Sequence, residues 1–325
     1  MRLPKFEYIE PKSIKEASSI LANEPGARIL AGGTDLVVNM KHRVETPPTI
    51  VNIKRIPDLD FIRQENGTIR IGALTSLKKV YKAPLITEKV PALASAASHV
   101  GSYHHQSMGT IGGNICQQNR CKYFNQSQWW RSSRPTCFKA GGEICHVVNK
   151  KEVCYSNYCG DVAPALLVMN ATVVLEEEGG SREISLESLF SGDGKSPLNI
   201  KGGEILTEIA IPSESLGVYS SYMKFSNRES IDFPIVGTAL WVSLEQKEYR
   251  ISFTAVDRRP IRAKNLEDQW KGKVINDEIL EKSHGLAAKE ATPVDNSTYA
   301  PSYKRKLMGL LLKYKVKEAM RRTER

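Results

Sequence analysis

The chain has no cysteine before residue 116 and none after residue 159, although six lie between. It also has no long apolar run. The longest, 163–175, contains Pro164 and Asn170 and falls well short of the ~20 residues a membrane helix needs. The opening MRLPKFEYIEPK has no apolar segment of the secretory type, which predicts a cytoplasmic chain, where structural disulfides are rare. Acidic residues are in deficit, 36 against 46 Lys and Arg, for a net charge of +10. No nucleic-acid motif and no basic stripe interleaved with aromatics accompanies that excess, so neither nucleic acid nor membrane is an expected partner. There is no G-x-G-x-x-G and no evident set of acid, base and nucleophile for substrate chemistry. With 41% hydrophobic and 25% charged residues, the chain is an ordinary globular protein, and 325 residues suit two domains.

The cysteines fall in CQQNRCKYFNQSQWWRSSRPTCFKAGGEICHVVNKKEVCYSNYC, residues 116–159. This stretch has little hydrophobic periodicity and sits between glycine-rich and apolar segments, so it reads as an insert held by bound metal. Its five gaps are 4, 15, 7, 8 and 4 residues, and none is the two of a zinc knuckle. An iron–sulfur cluster tolerates irregular spacing. By spacing, a cluster, structural zinc and inert buried thiols all remain open.

Elsewhere the sequence alternates short strands and helices. Ser13 predicts a helix start, with Ile14, Ala17, Ile20 and Leu21 at helical spacing. Strands are expected near 28–31 and 50–53, and a hairpin turn at Asn66-Gly67. A helix should begin at Leu77 behind Thr75-Ser76, and another should run from Ala92 to Val100. Two Gly-Gly segments stand out: Gly32-Gly33-Thr34-Asp35 after a strand, and Thr110-Ile111-Gly112-Gly113-Asn114. Flexible paired glycines beside a threonine allow close backbone approach to a phosphate-bearing ligand, so the two read as opposite sides of one cradle. Asp161 is either a helix cap or an acceptor for ligand hydroxyls. Lys224 is either an exposed strand lysine or a partner for a cofactor oxygen. The last third predicts a small antiparallel sheet with helices on one face.

AGGTDL near 30, GALTSL near 75, GTIGGN near 110, GDVAPAL near 160 and YMKFSNRESIDFP near 225 occur in one order. In this the chain resembles, over essentially its whole length, the FAD-binding subunits of the xanthine dehydrogenase and carbon monoxide dehydrogenase family of molybdenum enzymes. Ordinary members lack the insert. CKYFNQSQWWRS and GGEICHVV within it are similar to the insert of 4-hydroxybenzoyl-CoA reductase β subunits.

The resemblance implies an α+β protein with a p-cresol methylhydroxylase-type FAD-binding fold. Residues 1–212 would bind flavin through subdomains of about 1–55 and 56–212, and 213–325 would form a C-terminal α+β domain. Ile29, Leu30, Ala31, Gly32, Gly33, Thr34, Asp35 and Leu36 would wrap the FAD pyrophosphate, with Thr110, Ile111, Gly112, Gly113 and Asn114 opposite. Thr75, Asp161 and Lys224 would touch the ribityl, ribose or flavin edge. A 4Fe–4S cluster would be held by Cys121, Cys137, Cys145 and Cys154, leaving Cys116 and Cys159 as free thiols near the cofactor. Tyr103-His104-His105-Gln106 departs from the family's usual Pro-Gln-Ile-Arg, which makes His104 a candidate at the flavin edge. Implied partners are a molybdopterin-binding large subunit and a small subunit with 2Fe–2S clusters, in a dimer of heterotrimers, with ferredoxin as donor. The implied activity is reductive removal of the phenolic hydroxyl of 4-hydroxybenzoyl-CoA. The rival expectations are a medium subunit of a hydroxylase, and a zinc-stapled module without flavin.

Overall fold

The computed structural model describes residues 2–323; Met1 and the last two residues of the basic C-terminal run fall outside the described residues. β1 (Glu7–Ile9), α1 (Ile14–Asn23), β2 (Arg28–Leu30), α2 (Leu36–Lys41) and β3 (Thr49–Asn52) form a parallel sheet in the order β1-β3-β2. Ser13 does start α1, its hydroxyl accepting from the Glu16 amide at 3.2 Å. Ala17 of that helix is fully buried against Val51 and Ile53, in a small core of their own.

β4 (Ile62–Glu65) and β5 (Thr68–Gly72) make the hairpin expected at Asn66-Gly67, where φ is 49° and 83°. That is the positive-φ pair of a type I′ turn. Five short helices follow: α3 (Leu77–Lys82), α4 (Pro84–Lys89), α5 (Pro91–Ser98), α6 (Tyr103–Met108) and α7 (Ile111–Ile115). The cysteine insert contributes α8 (Gln128–Ser132), a single 3-10 turn at Phe138–Ala140 and a minimal hairpin of β6 (Ile144–Cys145) and β7 (Lys150–Lys151). Next come α9 (Val162–Val168), β8 (Thr172–Glu177), β9 (Gly180–Ser185), α10 (Leu186–Leu189) and β10 (Ile205–Ile211). They complete an antiparallel sheet in the order β4-β5-β10-β8-β9. Ile69, Ile71, Val173, Leu175, Ile209 and Ile211 alternate along its strands and share one core with Leu93 and Ala96 of α5 and with α9, which is buried along its whole length.

β11 (Tyr219–Phe225), β12 (Val236–Ser243), β13 (Glu248–Thr254) and β14 (Ile261–Arg262) form a four-stranded sheet. α11 (Lys264–Trp270), α12 (Asp277–Ala287) and α13 (Pro301–Thr323) follow. The helices of this last third do lie on one face of the sheet, and the other face is covered by α5 and α9 of the preceding domain. β12 is buried from Val236 to Val242. Val236, Leu240 and Val242 face α11–α13, whereas Ala239 and Trp241 join the core of the first domain with α5 and α9. The Trp241 indole N–H donates to Ser215 O at 3.0 Å, so its aromatic burial leaves no polar group unmet.

Candidate functional site

The two glycine segments meet backbone to backbone. A Cβ on Gly32 would lie 2.2 Å from Met108 O and 2.7 Å from the Gly109 Cα. Gly112 is equally constrained, since a Cβ there would meet the Ala73 side chain at 2.8 Å and its carbonyl oxygen at 2.9 Å. Gly112 and Gly113 are not a flexible turn as expected but lie within α7, whose Thr110 hydroxyl accepts from the Gly113 amide at 3.0 Å. Glycine serves here for close approach between α7 and the end of β5. The segments line a cleft of about 740 Å³, within the size range of small-molecule sites.

Asp161 sits at the cleft wall before α9, but its carboxylate does not cap that helix. It accepts instead from the Tyr222 hydroxyl at 2.8 Å and lies 3.3 Å from the Lys224 ammonium. Lys224 also donates to Asp232 O at 2.7 Å and His99 O at 2.9 Å, and both charged side chains are only 5% exposed. Burial lifts the Asp161 carboxyl above its ordinary value of 3.8, while Lys224 and the Tyr222 hydrogen bond pull it back down.

The insert reaches the cleft as well. Gln117, Gln118 and Arg120 line it, and the Arg120 guanidinium pairs with Asp35 and stacks 4.6 Å over the Phe233 ring. The Gln118 amide donates to the other Asp35 oxygen at 3.1 Å. Gln118 Oε1 and Arg120 Nε are buried without a hydrogen-bond partner in residues that line the cleft. Buried orphan groups are costly, and a polar ligand in the cleft answers them. FAD, with a pyrophosphate and hydroxylated ribityl chain, fits such a wall. Arg120→Ala is expected to free Asp35 and cost about 1–2 kcal/mol for a partly screened pair. It should also lower the flavin-to-protein absorbance ratio after dialysis; an unchanged ratio would argue against the clamp.

Segments 116–121 and 154–159 run antiparallel, bridged by Arg120 N to Asn157 O at 2.7 Å and Asn157 N to Arg120 O at 2.8 Å. Each carries a cysteine at both ends. Cys116 and Cys159 line the cleft, and burial pushes their thiols up to about 12 and about 11. At the other end Cys121 and Cys154 meet Cys137 and Cys145 around one small cavity, with Phe124, Phe138, Lys139 and Ser156 among its walls. All six cysteines are free thiols. Among the described residues, no group of three or more His, Cys, Asp or Glu is arranged to hold a metal ion. The four cysteines surround a space of water size, about 10 Å³, rather than a preformed coordination point. Five residues of extended chain separate the two sites by at most ~18 Å along the ribbon.

Ile29, Ala31, Gly32, Gly33, Thr34, Asp35, Leu36, Thr110, Gly112, Gly113, Asn114 and Asp161 line the cleft; Leu30 and Ile111 do not. Thr75 is buried with its hydroxyl on Phe61 O at 3.0 Å, and it is Ser76 that caps α3. Lys224 sits behind Asp161 rather than on the wall. His104 is exposed outside the cleft, whereas His105, one position further around α6, lines it with Nδ1 2.8 Å from the Ser102 hydroxyl. Gln117, Gln118 and Arg120 were not singled out by sequence, and His105 and Ile231–Phe233 lay within noted motifs without being assigned to the site. The directly preceding Gly-Gly-Asn segment was the available pointer to Gln117 and Gln118.

Residues 4–214 match the family described as "FAD binding domain in molybdopterin dehydrogenase", and residues 221–319 match "CO dehydrogenase flavoprotein C-terminal domain". The chain is 30% identical to the nicotinate dehydrogenase FAD-subunit of Eubacterium barkeri, over 85% of this chain and 83% of that one. It is 25% identical to the glyceraldehyde dehydrogenase medium chain of Sulfolobus acidocaldarius, over 97% of this chain and 98% of that one. Among solved structures, a carbon monoxide dehydrogenase from Hydrogenophaga pseudoflava superposes with a TM-score of 0.79 at 26% identity, covering 97% of this chain and 96% of that one. With the glycine cleft in place and both halves matched, the chain belongs to the FAD-binding subunits of the molybdenum hydroxylase family.

Proposed function

We propose that the chain is an electron-relay subunit, with FAD in the glycine cleft and a 4Fe–4S cluster on Cys121, Cys137, Cys145 and Cys154. One observation carries the cluster: the four cysteines of a long, weakly structured insert line one cavity, and the other two line the cleft. These four cysteines would hold the cluster, for which a set of four thiolates is the usual donor set. FAD supplies the exchange between one- and two-electron steps. The chain itself positions it: Gly32 and Gly112 admit the backbone, Asp161 offers an acceptor, and Arg120 closes the wall over Asp35. Residues 1–212 are the flavin-binding domain on this reading, and 213–325 the domain that backs it.

The complex we infer adds a molybdopterin-binding large subunit and a 2Fe–2S small subunit, as a dimer of heterotrimers in the cytoplasm. Its reaction is reduction of 4-hydroxybenzoyl-CoA by two electrons and two protons to benzoyl-CoA and water, with reduced ferredoxin as donor. A second reading, a xanthine dehydrogenase-like hydroxylase sending electrons the other way, draws on the dehydrogenase names of the relatives. The test is to purify the chain with its partners without air. The expected result is one flavin and four iron per chain of this subunit, beyond the iron of the small subunit, and turnover of 4-hydroxybenzoyl-CoA with reduced viologen. Flavin and iron without that turnover would favour the hydroxylase. Zinc in place of iron, in a colourless chain, would leave only a stapled scaffold.

A further inference from the structure

We propose that Lys139 sets the reduction potential of the group bound in the cysteine cavity, holding it higher than the thiolates alone would. This rests on the reading of that cavity as a 4Fe–4S site. The insert carries many cations, and the structure separates one from the rest. Lys122 pairs with Asp295, Arg134 stacks 3.5 Å over Trp130, and Lys150 and Lys151 are exposed. Arg131 turns to the carbonyls of Arg43 and Gln126.

Lys139 alone among them lines the cavity. Its ammonium donates to Asn119 O at 2.9 Å and approaches the Ser156 hydroxyl at 3.3 Å, both in residues with no exposed surface. It also lies 4.8 Å over the Phe124 ring, another cavity wall. Ser156 is the link to the ligands, because the Cys154 sulfur lies 3.3 Å from the same hydroxyl.

An ammonium so placed is shielded from solvent and faces the sulfurs across one hydroxyl. Adding an electron to the cluster adds negative charge, which a fixed neighbouring cation favours. Charge and hydrogen bonding around the sulfurs are established levers on such potentials. The electron comes from a one-electron donor, which is oxidised in the same step. Lys139 also ties Asn119 to Ser156, one from each strand of the ribbon leading to the cleft. It therefore acts through its neighbours, as a positioning and charge-setting residue that touches no substrate.

The experiment uses the assembled complex, prepared without air, with Lys139→Gln and Lys139→Arg. Glutamine keeps a hydrogen-bond donor and removes the charge; arginine keeps both. Iron, acid-labile sulfide and flavin are counted, and both midpoints are followed by spin resonance and absorbance during titration with dithionite and viologens. The expected Gln result is full iron and flavin, an unmoved flavin midpoint, and a cluster at least tenfold harder to reduce, about 59 mV for one electron. Arginine should stay within half that shift. An assembled cluster with an unmoved midpoint in Lys139→Gln would overturn the proposal. So would an equal fall in the flavin midpoint, or loss of iron in both variants, which would make Lys139 a packing residue. If the unaltered complex itself carries no such cluster, the underlying reading fails, and the proposal falls with it before either variant is compared.

Discussion

Replacing Gly32 by alanine should yield a chain that purifies with less than about a tenth of the unaltered flavin content. The reason is geometric. The added methyl would sit 2.2 Å from Met108 O and 2.7 Å from the Gly109 Cα, and both are backbone atoms. A side chain could turn aside, but two packed backbones can only move apart. That separation opens the place where the two glycine segments meet, and those segments line the cleft. Overpacking of this kind costs typically 1–3 kcal/mol, and a contact with no flexible partner belongs at or above the upper end, about 3 kcal/mol. Gly179→Ala is the control, since a Cβ there meets nothing within 4 Å. The measurement is the ratio of flavin to protein absorbance together with the melting temperature. Stoichiometric flavin in Gly32→Ala would show that the backbone contact does not shape the site.

The second large effect concerns the buried charge pair. Lys224→Met should destabilise the protein by about 3–5 kcal/mol at neutral pH, because it leaves the Asp161 carboxylate buried and unpaired. The loss should depend on pH in a definite direction. Asp161 is already lifted above 3.8 by burial, and Lys224 is the main influence holding it down. An acid with a folded pKa above its unfolded one is protonated more readily in the folded state. Its effect on stability is least unfavourable below the ordinary value, and it worsens as pH rises toward the folded pKa. Removing Lys224 moves that upper limit higher. Stability of Lys224→Met should thus fall between pH 4 and neutrality relative to the unaltered chain, in urea melts at a series of pH values. Adding Asp161→Asn should flatten the dependence and recover part of the loss. A parallel offset at every pH would place the effect in packing rather than charge.

Much of the frame was legible because local chemistry decides it. Ser13 and Ser76 cap the helices that follow, and Asn66-Gly67 makes the turn that its residues prefer. Where the reading missed, the deciding contact was distant. His104 and His105 are neighbours in sequence, and only the seating of α6 chooses which faces the cleft. Gly112 and Gly113 resembled a loop, yet Ala73, just past the end of β5, requires a glycine at position 112 of a helix. Asp161 stood where a helix cap belongs, and a tyrosine and a lysine 61 and 63 residues away claim its oxygens instead. Arg120 carried no signal in the sequence, because the partner that gives it a role, Asp35, lies 85 residues away. α11 escaped notice because its Leu266 and Trp270 acquire an inside only once the sheet beneath them exists.

The sheet covered on both sides has a consequence for how the protein is made. Ala239 and Trp241 complete a core that α5 and α9 cannot close alone, and Lys224 neutralises an aspartate emerging some sixty residues earlier. A nascent chain ending near residue 212 would display that apolar surface to the surroundings, with its cofactor wall still carrying a bare charge. Loading of the prosthetic group thus belongs after residues 219–242 have joined the fold, and the two halves made as separate chains should aggregate rather than give two working pieces.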